Sequence, residues 1–189
     1  MSLIKAIKAR RSSAKISAAD VAPEMIIQLL DAAVCTPVHY QTNPWRFLVI
    51  RGEGRKKLGE VMENRLVKTM TNPEEPKNIA QREKMREKPF RAPVIIAVGA
   101  AKSDCAKALM KEDVASVNAA CQNILLAAHE LGLSAIWRTG SFTYDPVTSA
   151  ALGFEVDTEL AGFIYLGHPL KALPPKSRET SAAYVRWLD

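Results

Sequence analysis

Two arginines and two serines stand side by side near the start of the chain, in the stretch KARRSSAK of residues 8–15. The guanidinium group of arginine is a planar fork of N–H donors that matches the oxygens of a phosphate, and a serine hydroxyl adds a donor. Arg10, Arg11, Ser12 and Ser13 could therefore hold a phosphate. They could also be the solvated end of a helix, where charged side chains contribute little. The stretch alone leaves both interpretations open.

Three further segments place polar or aromatic side chains beside turns. They are PVHYQTNPWRFLVI (37–50), GLSAIWRTGSF (132–142) and LGHPLKALPPKSR (166–178). The last one brings Lys176 and Arg178 near a turn of the chain. Taken singly, Trp45 and Trp137 are typical core aromatics, and His39 is typical of an exposed loop.

Hydrolytic and metal-dependent chemistry lack a supporting motif. His129 and Glu130 begin an H-E-x-x-H pattern, but Leu133 stands where the second histidine would be, so no zinc pair is predicted. The stretch GEGRKKLG from residue 52 lacks the spacing of a phosphate-binding loop. Three histidines in no triad order and three scattered cysteines without C-x-x-C predict neither covalent catalysis nor disulfides.

The composition is that of one globular domain. The chain has 189 residues, 48% of them hydrophobic, with a net charge of +6. That surplus suits an acidic ligand, and it also suits nucleic acid, but the basic residues alternate with acidic ones and form no basic face with stacking aromatics. The charged start of the chain and the lack of a long apolar run predict neither a signal peptide nor a membrane span. We therefore expect a soluble cytoplasmic protein without a nucleic-acid or membrane partner.

The elements that must position these residues are helices around a small sheet. Helical periodicity predicts helices over 2–10, 23–34, 53–70 and 111–131, with a short one over 146–152. Apolar and β-branched runs predict strands over 45–50, 94–100, 134–140 and 160–167. These elements predict an α+β layered domain.

Two segments stand outside this layered pattern. Residues 71–91 are rich in charge and proline, and they predict an exposed excursion with a short helix over about 79–87. The tail, 168–189, carries Tyr184, Val185, Trp187 and Leu188 close together. We expect it to dock on the core or on a partner chain.

Taken in order, the four chemistry-bearing segments resemble the nitroreductase family of FMN-dependent oxidoreductases over nearly the whole chain. The resemblance rests on R-R-S after an N-terminal helix, on N-P-W-R-F before a strand, on E-L-G-L at the end of a long helix, and on a late L-G-H-P followed by basic residues. The variant I-W-R-T-G is similar to the short, single-domain members. The resemblance implies one domain over 1–189, a mostly antiparallel sheet wrapped by helices, and a homodimer with FMN sites between the subunits.

The same resemblance implies the residues that contact FMN. Arg10 and Ser12 would hold the phosphate and ribityl end, Arg11 would lie against the flavin, and Lys15 falls near the pyrimidine edge. The loop that reaches the flavin of the other subunit would contribute Pro37, Val38, His39 and Gln41. The turn beside the flavin ring would contribute Trp137, Arg138, Thr139 and Gly140, and the basic pair that closes over the phosphate would be Lys176 and Arg178.

The implied activity is transfer of hydride from NAD(P)H through flavin N5 to a small acceptor such as a nitroaromatic or a quinone, in ping-pong turnover. The flavin carries the chemistry, so no catalytic side chain and no metal are expected. Alternatives that the sequence leaves open are dehalogenation, enoyl reduction or flavin fragmentation within the same superfamily, and flavin binding without turnover. A basic nucleic-acid-binding protein ranks last.

Overall fold

The computed structural model of the protein describes residues 2–174 and 177–188. Its α-helices are α1 (Leu3–Ala9), α2 (Pro23–Ala33), α3 (Gly54–Val67), α4 (Pro76–Arg86), α5 (Met110–Glu130) and α6 (Pro146–Ala151). Its strands are β1 (Trp45–Arg51), β2 (Val94–Ala100), β3 (Ser134–Arg138) and β4 (Glu159–Gly167). Short 3-10 turns lie at His39–Gln41, Lys88–Arg91 and Ser181–Tyr184.

The four strands form one antiparallel sheet in the order β1-β2-β4-β3. This confirms the predicted α+β class with an antiparallel sheet. The two inner strands are β2 and β4, and all seven residues of β2 are buried. Because an inner strand is covered on both faces, its sequence VIIAVGA is apolar throughout and does not alternate.

Helix α5 covers one face of the sheet and supplies much of the main core. Its residues Val117, Cys121 and Ile124 pack with Ile96 and Ile164 of the inner strands. A second apolar cluster covers the other face, where Ile95 and Tyr165 meet residues of α3. The sheet therefore separates the two apolar clusters, and successive side chains along each strand point alternately toward one cluster and the other.

The segment that follows β1 folds as two packed helices, α3 and α4. Glu63 of α3 is buried and accepts hydrogen bonds from the Nε atoms of Arg82, at 3.1 Å, and Arg86, at 2.6 Å. Burial opposes the charge of this carboxyl, but the hydrogen bonds from Arg86 and Arg82 outweigh it and hold the Glu63 pKa below its usual value. The helices approach closely at Gly59, where a β-carbon would lie 2.3 Å from the Arg86 carbonyl oxygen.

Several predicted boundaries shift by a few residues. The short helix expected over about 79–87 begins at Pro76, because proline at the first helical position needs no N–H partner. The helix expected to reach residue 70 ends at Val67, and the third strand ends at Arg138. The predicted short helix is α6, and Asp145 caps it, since its side chain accepts the Val147 N–H at 2.9 Å.

Apolar side chains at both ends of the chain are exposed. On α1, Leu3 is 68% exposed and Ile4 is 61% exposed. In the tail, Trp187 is 81% exposed and Leu188 is 97% exposed. Neither group is covered by the described part of its own chain, so the expected docking of the tail on a partner stays a prediction.

Candidate functional site

The two ends of the chain meet at the end of α1. The carbonyl oxygen of Arg10 accepts a hydrogen bond from Arg178 Nη2 at 2.8 Å, and Arg11 Nη1 donates to the Pro174 carbonyl oxygen at 2.9 Å. These contacts join residues more than 160 positions apart in the sequence. Arg10, Arg11 and Arg178 thus form one cationic group, which we call the Arg10 site.

The guanidinium group of Arg10 has donors that no described residue satisfies. Its Nε and Nη1 atoms are buried and make no hydrogen bond within residues 2–174 and 177–188. Burial lowers the Arg10 pKa, and the nearby charge of Arg178 lowers it further. Buried unpaired donors are costly, and two adjacent cations repel. An anion between them removes both penalties, so the donor set fits a phosphate.

A cavity of about 240 Å³ opens beside Arg10. Besides Arg10 and Arg11, it is lined by His129 at the end of α5 and by Lys171 of the tail. The Nε2 atom of His129 is also buried and unpaired in the described structure. Sequence analysis treated His129 as the remnant of a failed zinc motif and did not single out Lys171. Only the tertiary fold, which brings the end of α5 against the end of α1, places them here.

The segment after Arg11 contacts the free edge of β3 at Ala135 and then pairs with residues that follow β4. Ser12 forms a parallel bridge with Ala135, and the Ser13 N–H donates to the Ala135 carbonyl oxygen at 3.1 Å. The Ser12 side chain is exposed, whereas Ser13 is buried. From Ala135, β3 leads to the turn at Thr139, about 13 Å away at the usual rise of a strand. The edge of β3 thus connects the Arg10 site to that turn.

Trp137 is held rigidly near the end of β3. Its indole Nε1 donates to the Ala161 carbonyl oxygen at 3.0 Å. Ala161 is the extra residue of a β-bulge, because Val98 pairs with Gly162 and the next residue pairs with Leu160. Trp137 and Thr139 line a second cavity of about 480 Å³, together with residues of α5, β4 and the following turn.

Arg138 points to the opposite face of the sheet from Trp137. Its guanidinium carbon lies 5.7 Å from the centre of the Tyr165 ring, in the second apolar cluster. Its Nε is buried and unpaired among the described residues. Thr139 and Gly140 are exposed, and Gly140 has φ of 141°.

The loop after α2 lies at the far end of α5. His39 Nδ1 is 2.5 Å from Glu112 Oε2, and Thr42 donates to Asp113 Oδ1 at 2.5 Å. Positive φ angles at Tyr40 and Gln41, of 52° and 53°, fold the loop tightly. Pro37, His39 and Gln41 are exposed, and Val38 is half-buried.

This loop and the Arg10 site are far apart in one chain. Glu112, which holds the loop, and His129, which lines the cavity, are 17 residues apart on α5, or about 26 Å at the rise of an α-helix. The structure therefore brings Arg10, Arg11, Ser12 and Arg178 together, but not with Pro37, Val38, His39 and Gln41 of the same chain. Lys176 lies outside the described residues.

Two classes of site find no support in the described part of the chain. No group of three metal-ligating side chains occurs there. No helix in that part is long and apolar enough to cross a membrane.

The cysteines Cys35 and Cys105 are exposed, and Cys121 is buried in the main core, where burial raises its pKa to about 12.

Comparison with known proteins gives matches over most of the chain. A model described as "Nitroreductase family" matches residues 7–168. The Escherichia coli (strain K12) protein "Putative NAD(P)H nitroreductase YdjA" is 35% identical over 164 residues, which cover 86% of each chain.

Solved structures match as well. A nitroreductase-like family protein from Bacillus cereus has a TM-score of 0.83 at 28% identity and covers 100% of this chain and 97% of its own. A protein from Desulfovibrio desulfuricans, crystallised "in complex with fmn", has a TM-score of 0.73 at 25% identity, covering 98% and 96%.

Proposed function

Because this chain belongs to the nitroreductase family, we propose that it is an FMN-dependent oxidoreductase that takes hydride from NAD(P)H and passes it to a small acceptor such as a nitroaromatic or a quinone. The name of the E. coli relative supports the donor, and the FMN complex of the D. desulfuricans protein supports the cofactor. The observation that carries the proposal is the pair of buried, unpaired guanidinium nitrogens of Arg10, beside Arg178. They are the donors that a phosphate-bearing cofactor requires.

In this proposal the two ends of the chain hold the phosphate. Arg10 and Arg178 donate charge-assisted hydrogen bonds to its oxygens, with Ser12 and Arg11 beside them. Ser12 contacts Ala135 of β3, and β3 leads from there toward Thr139. In this proposal the flavin ring therefore lies near Trp137, Thr139 and Gly140.

FMN, when bound, supplies the ring that accepts and returns hydride. The residues of this chain need only bind and orient it, which agrees with the lack of a nucleophile–base pair in the sequence. Trp137 contributes rigidity, since its indole is fixed by the Ala161 carbonyl oxygen. The cavity of about 480 Å³ beside Trp137 and Thr139 offers space for a donor or acceptor against the ring.

We further propose that the site is completed by a second copy of the chain. The loop of Pro37, Val38, His39 and Gln41 is held at the opposite end of α5 from the Arg10 site, about 26 Å away along that helix, and in this proposal it contacts the flavin of a partner subunit. The exposed apolar side chains of α1 and of the tail are the surface that such a partner would cover. A two-fold dimer uses the same surface on both subunits.

The purified protein is expected to be a dimer by light scattering. Replacing both Trp187 and Leu188 by serine is expected to shift it toward monomer, because it removes the most exposed apolar side chains of the tail. Val156→Ser is the matched control, since Val156 is also apolar and 88% exposed but lies away from both chain ends. A monomer that retains flavin would contradict the shared site.

The activity is tested on the purified flavoprotein under anaerobic conditions. Addition of NADPH or NADH is expected to bleach the flavin absorption band, and a nitroaromatic or a quinone is expected to restore it. A band that neither donor bleaches would make the protein a flavin binder without turnover. Absence of a flavin band after supplying FMN would reject the proposed cofactor.

A further inference from the structure

Three basic side chains lie around Tyr165, which belongs to the second apolar cluster on the sheet face opposite α5. Lys88 and Arg91 lie in the 3-10 turn that ends two residues before β2 begins, and Arg138 ends β3. The strand register brings them together, because Tyr165 of β4 pairs with Ile95 on one side and with Ile136 on the other. We call Lys88, Arg91 and Arg138 the Lys88 cluster.

The charges of Arg91 and Arg138 act on two neighbouring groups, Lys88 and Tyr165. Burial lowers the pKa of Lys88, and the charges of Arg91 and Arg138 lower it further. Burial raises the pKa of the Tyr165 phenol, while the same two arginines oppose that rise. The positive charges of Arg91 and Arg138 are therefore close enough to both Lys88 and Tyr165 to lower the pKa of each.

The Lys88 cluster also lacks a counter-charge. Among residues 2–174 and 177–188, no carboxylate forms an ion pair with any of its three members. Several other arginines of this chain do have a carboxylate partner: Arg46 with Glu155, Arg65 with Asp145, and Arg82 and Arg86 with Glu63.

Three close cations on fixed elements are unfavourable unless an anion sits among them. The Nε of Arg138 is also buried without a hydrogen-bond acceptor among the described residues, which is unfavourable. Because Arg91 is exposed and Lys88 is half-buried, a ligand can approach from solvent. A dianion with several acceptor oxygens suits three cations and a phenol O–H better than a single carboxylate does.

We propose that Lys88, Arg91 and Arg138 form a second phosphate-binding site, on the opposite face of the sheet from the cavity beside Arg10. It takes a phosphate group that is carried either by the ribose of NADP(H) or by a free phosphate or phosphate ester. The site begins one residue before Thr139, next to the turn at the end of β3. A ligand held here by its phosphate therefore lies beside that turn.

The test is isothermal titration of the flavin-loaded protein with inorganic phosphate at low ionic strength, where such contacts are least screened. Wild-type protein is expected to show saturable binding, and Lys88→Gln or Arg91→Gln is expected to weaken it by about tenfold each through loss of one charge-assisted contact. Lys84→Gln, which removes an exposed basic residue of α4, is the matched control and is expected to leave binding unchanged. The flavin absorption of each sample separates a change at this site from loss of cofactor.

Titration with NADP⁺ and NAD⁺ distinguishes the two sources, since the two molecules differ by one phosphate. If wild-type protein binds NADP⁺ more tightly than NAD⁺ and Arg91→Gln abolishes this difference, the site binds the ribose phosphate of NADP(H). Equal binding of both, with inorganic phosphate still sensitive to Arg91→Gln, assigns the site to a free phosphate or phosphate ester. The proposal is overturned if wild-type protein shows no saturable phosphate binding, or if both variants bind phosphate as tightly as wild type.

Discussion

Replacing Arg10 with alanine is expected to weaken FMN binding by about a hundredfold, which corresponds to the loss of two charge-assisted hydrogen bonds. The two guanidinium nitrogens concerned, Nε and Nη1, are buried and have no partner in the described structure, so a bound phosphate would be their acceptor. The substitution also removes the cation beside Arg178 and the attraction that it exerts on a dianion. Stability without flavin should not fall, since neither nitrogen forms a hydrogen bond within the described chain and the substitution removes the repulsion between Arg10 and Arg178.

The measurement is the flavin released on filtration of the loaded protein, followed by its fluorescence. Lys8→Ala is the matched control, because Lys8 is exposed, basic and two residues away on the last turn of α1. Arg10→Lys is expected to fall between them, since it keeps the charge but loses the planar fork. If Arg10→Ala retains as much flavin as wild type, Arg10 does not bind the cofactor, and its burial beside Arg178 has no explanation in the proposed site.

The sequence determines the secondary structure of this protein well because the signals are local. The run VIIAVGA can be buried on both faces only as an inner strand, and it is β2. Proline marks the starts of α2, α4 and α6, where its missing N–H costs nothing. The site residues near the chain ends were predicted through a family pattern, and their role in binding FMN stays a prediction; the structure places the Arg178 side chain on the Arg10 carbonyl oxygen.

Other features depend on contacts that no local pattern records. His129 borders the Arg10 cavity only because α5 has the length and direction to end there. Arg138 follows Trp137 in the sequence, yet the two side chains lie on opposite faces of the sheet, since successive strand residues alternate. The Lys88 cluster combines residues about 50 positions apart in the sequence, from Lys88 to Arg138. Such groupings follow from strand register, which sequence patterns leave undetermined when all faces are apolar.

Gly162 is the residue whose replacement should most disturb the framework behind the proposed flavin site. A β-carbon there would lie 2.2 Å from Trp137 Nε1 and 2.8 Å from the Arg138 carbonyl oxygen. Its φ of 151° also lies outside the region that other residues favour. Gly162→Ala is therefore expected to destabilise the protein by about 3 kcal/mol, from overpacking together with backbone strain.

The same substitution should also weaken FMN binding, because Trp137 must leave its hydrogen bond to Ala161 and displace the end of β3. Gly132→Ala separates the two causes: Gly132 has φ of 72° but open space around its β-carbon position, so only strain of about 1 kcal/mol is expected. Urea unfolding and flavin affinity of both variants provide the test. Equal losses of stability in the two variants would show that contact with Trp137 costs nothing. Unchanged flavin affinity in Gly162→Ala would show that the end of β3 does not position the cofactor.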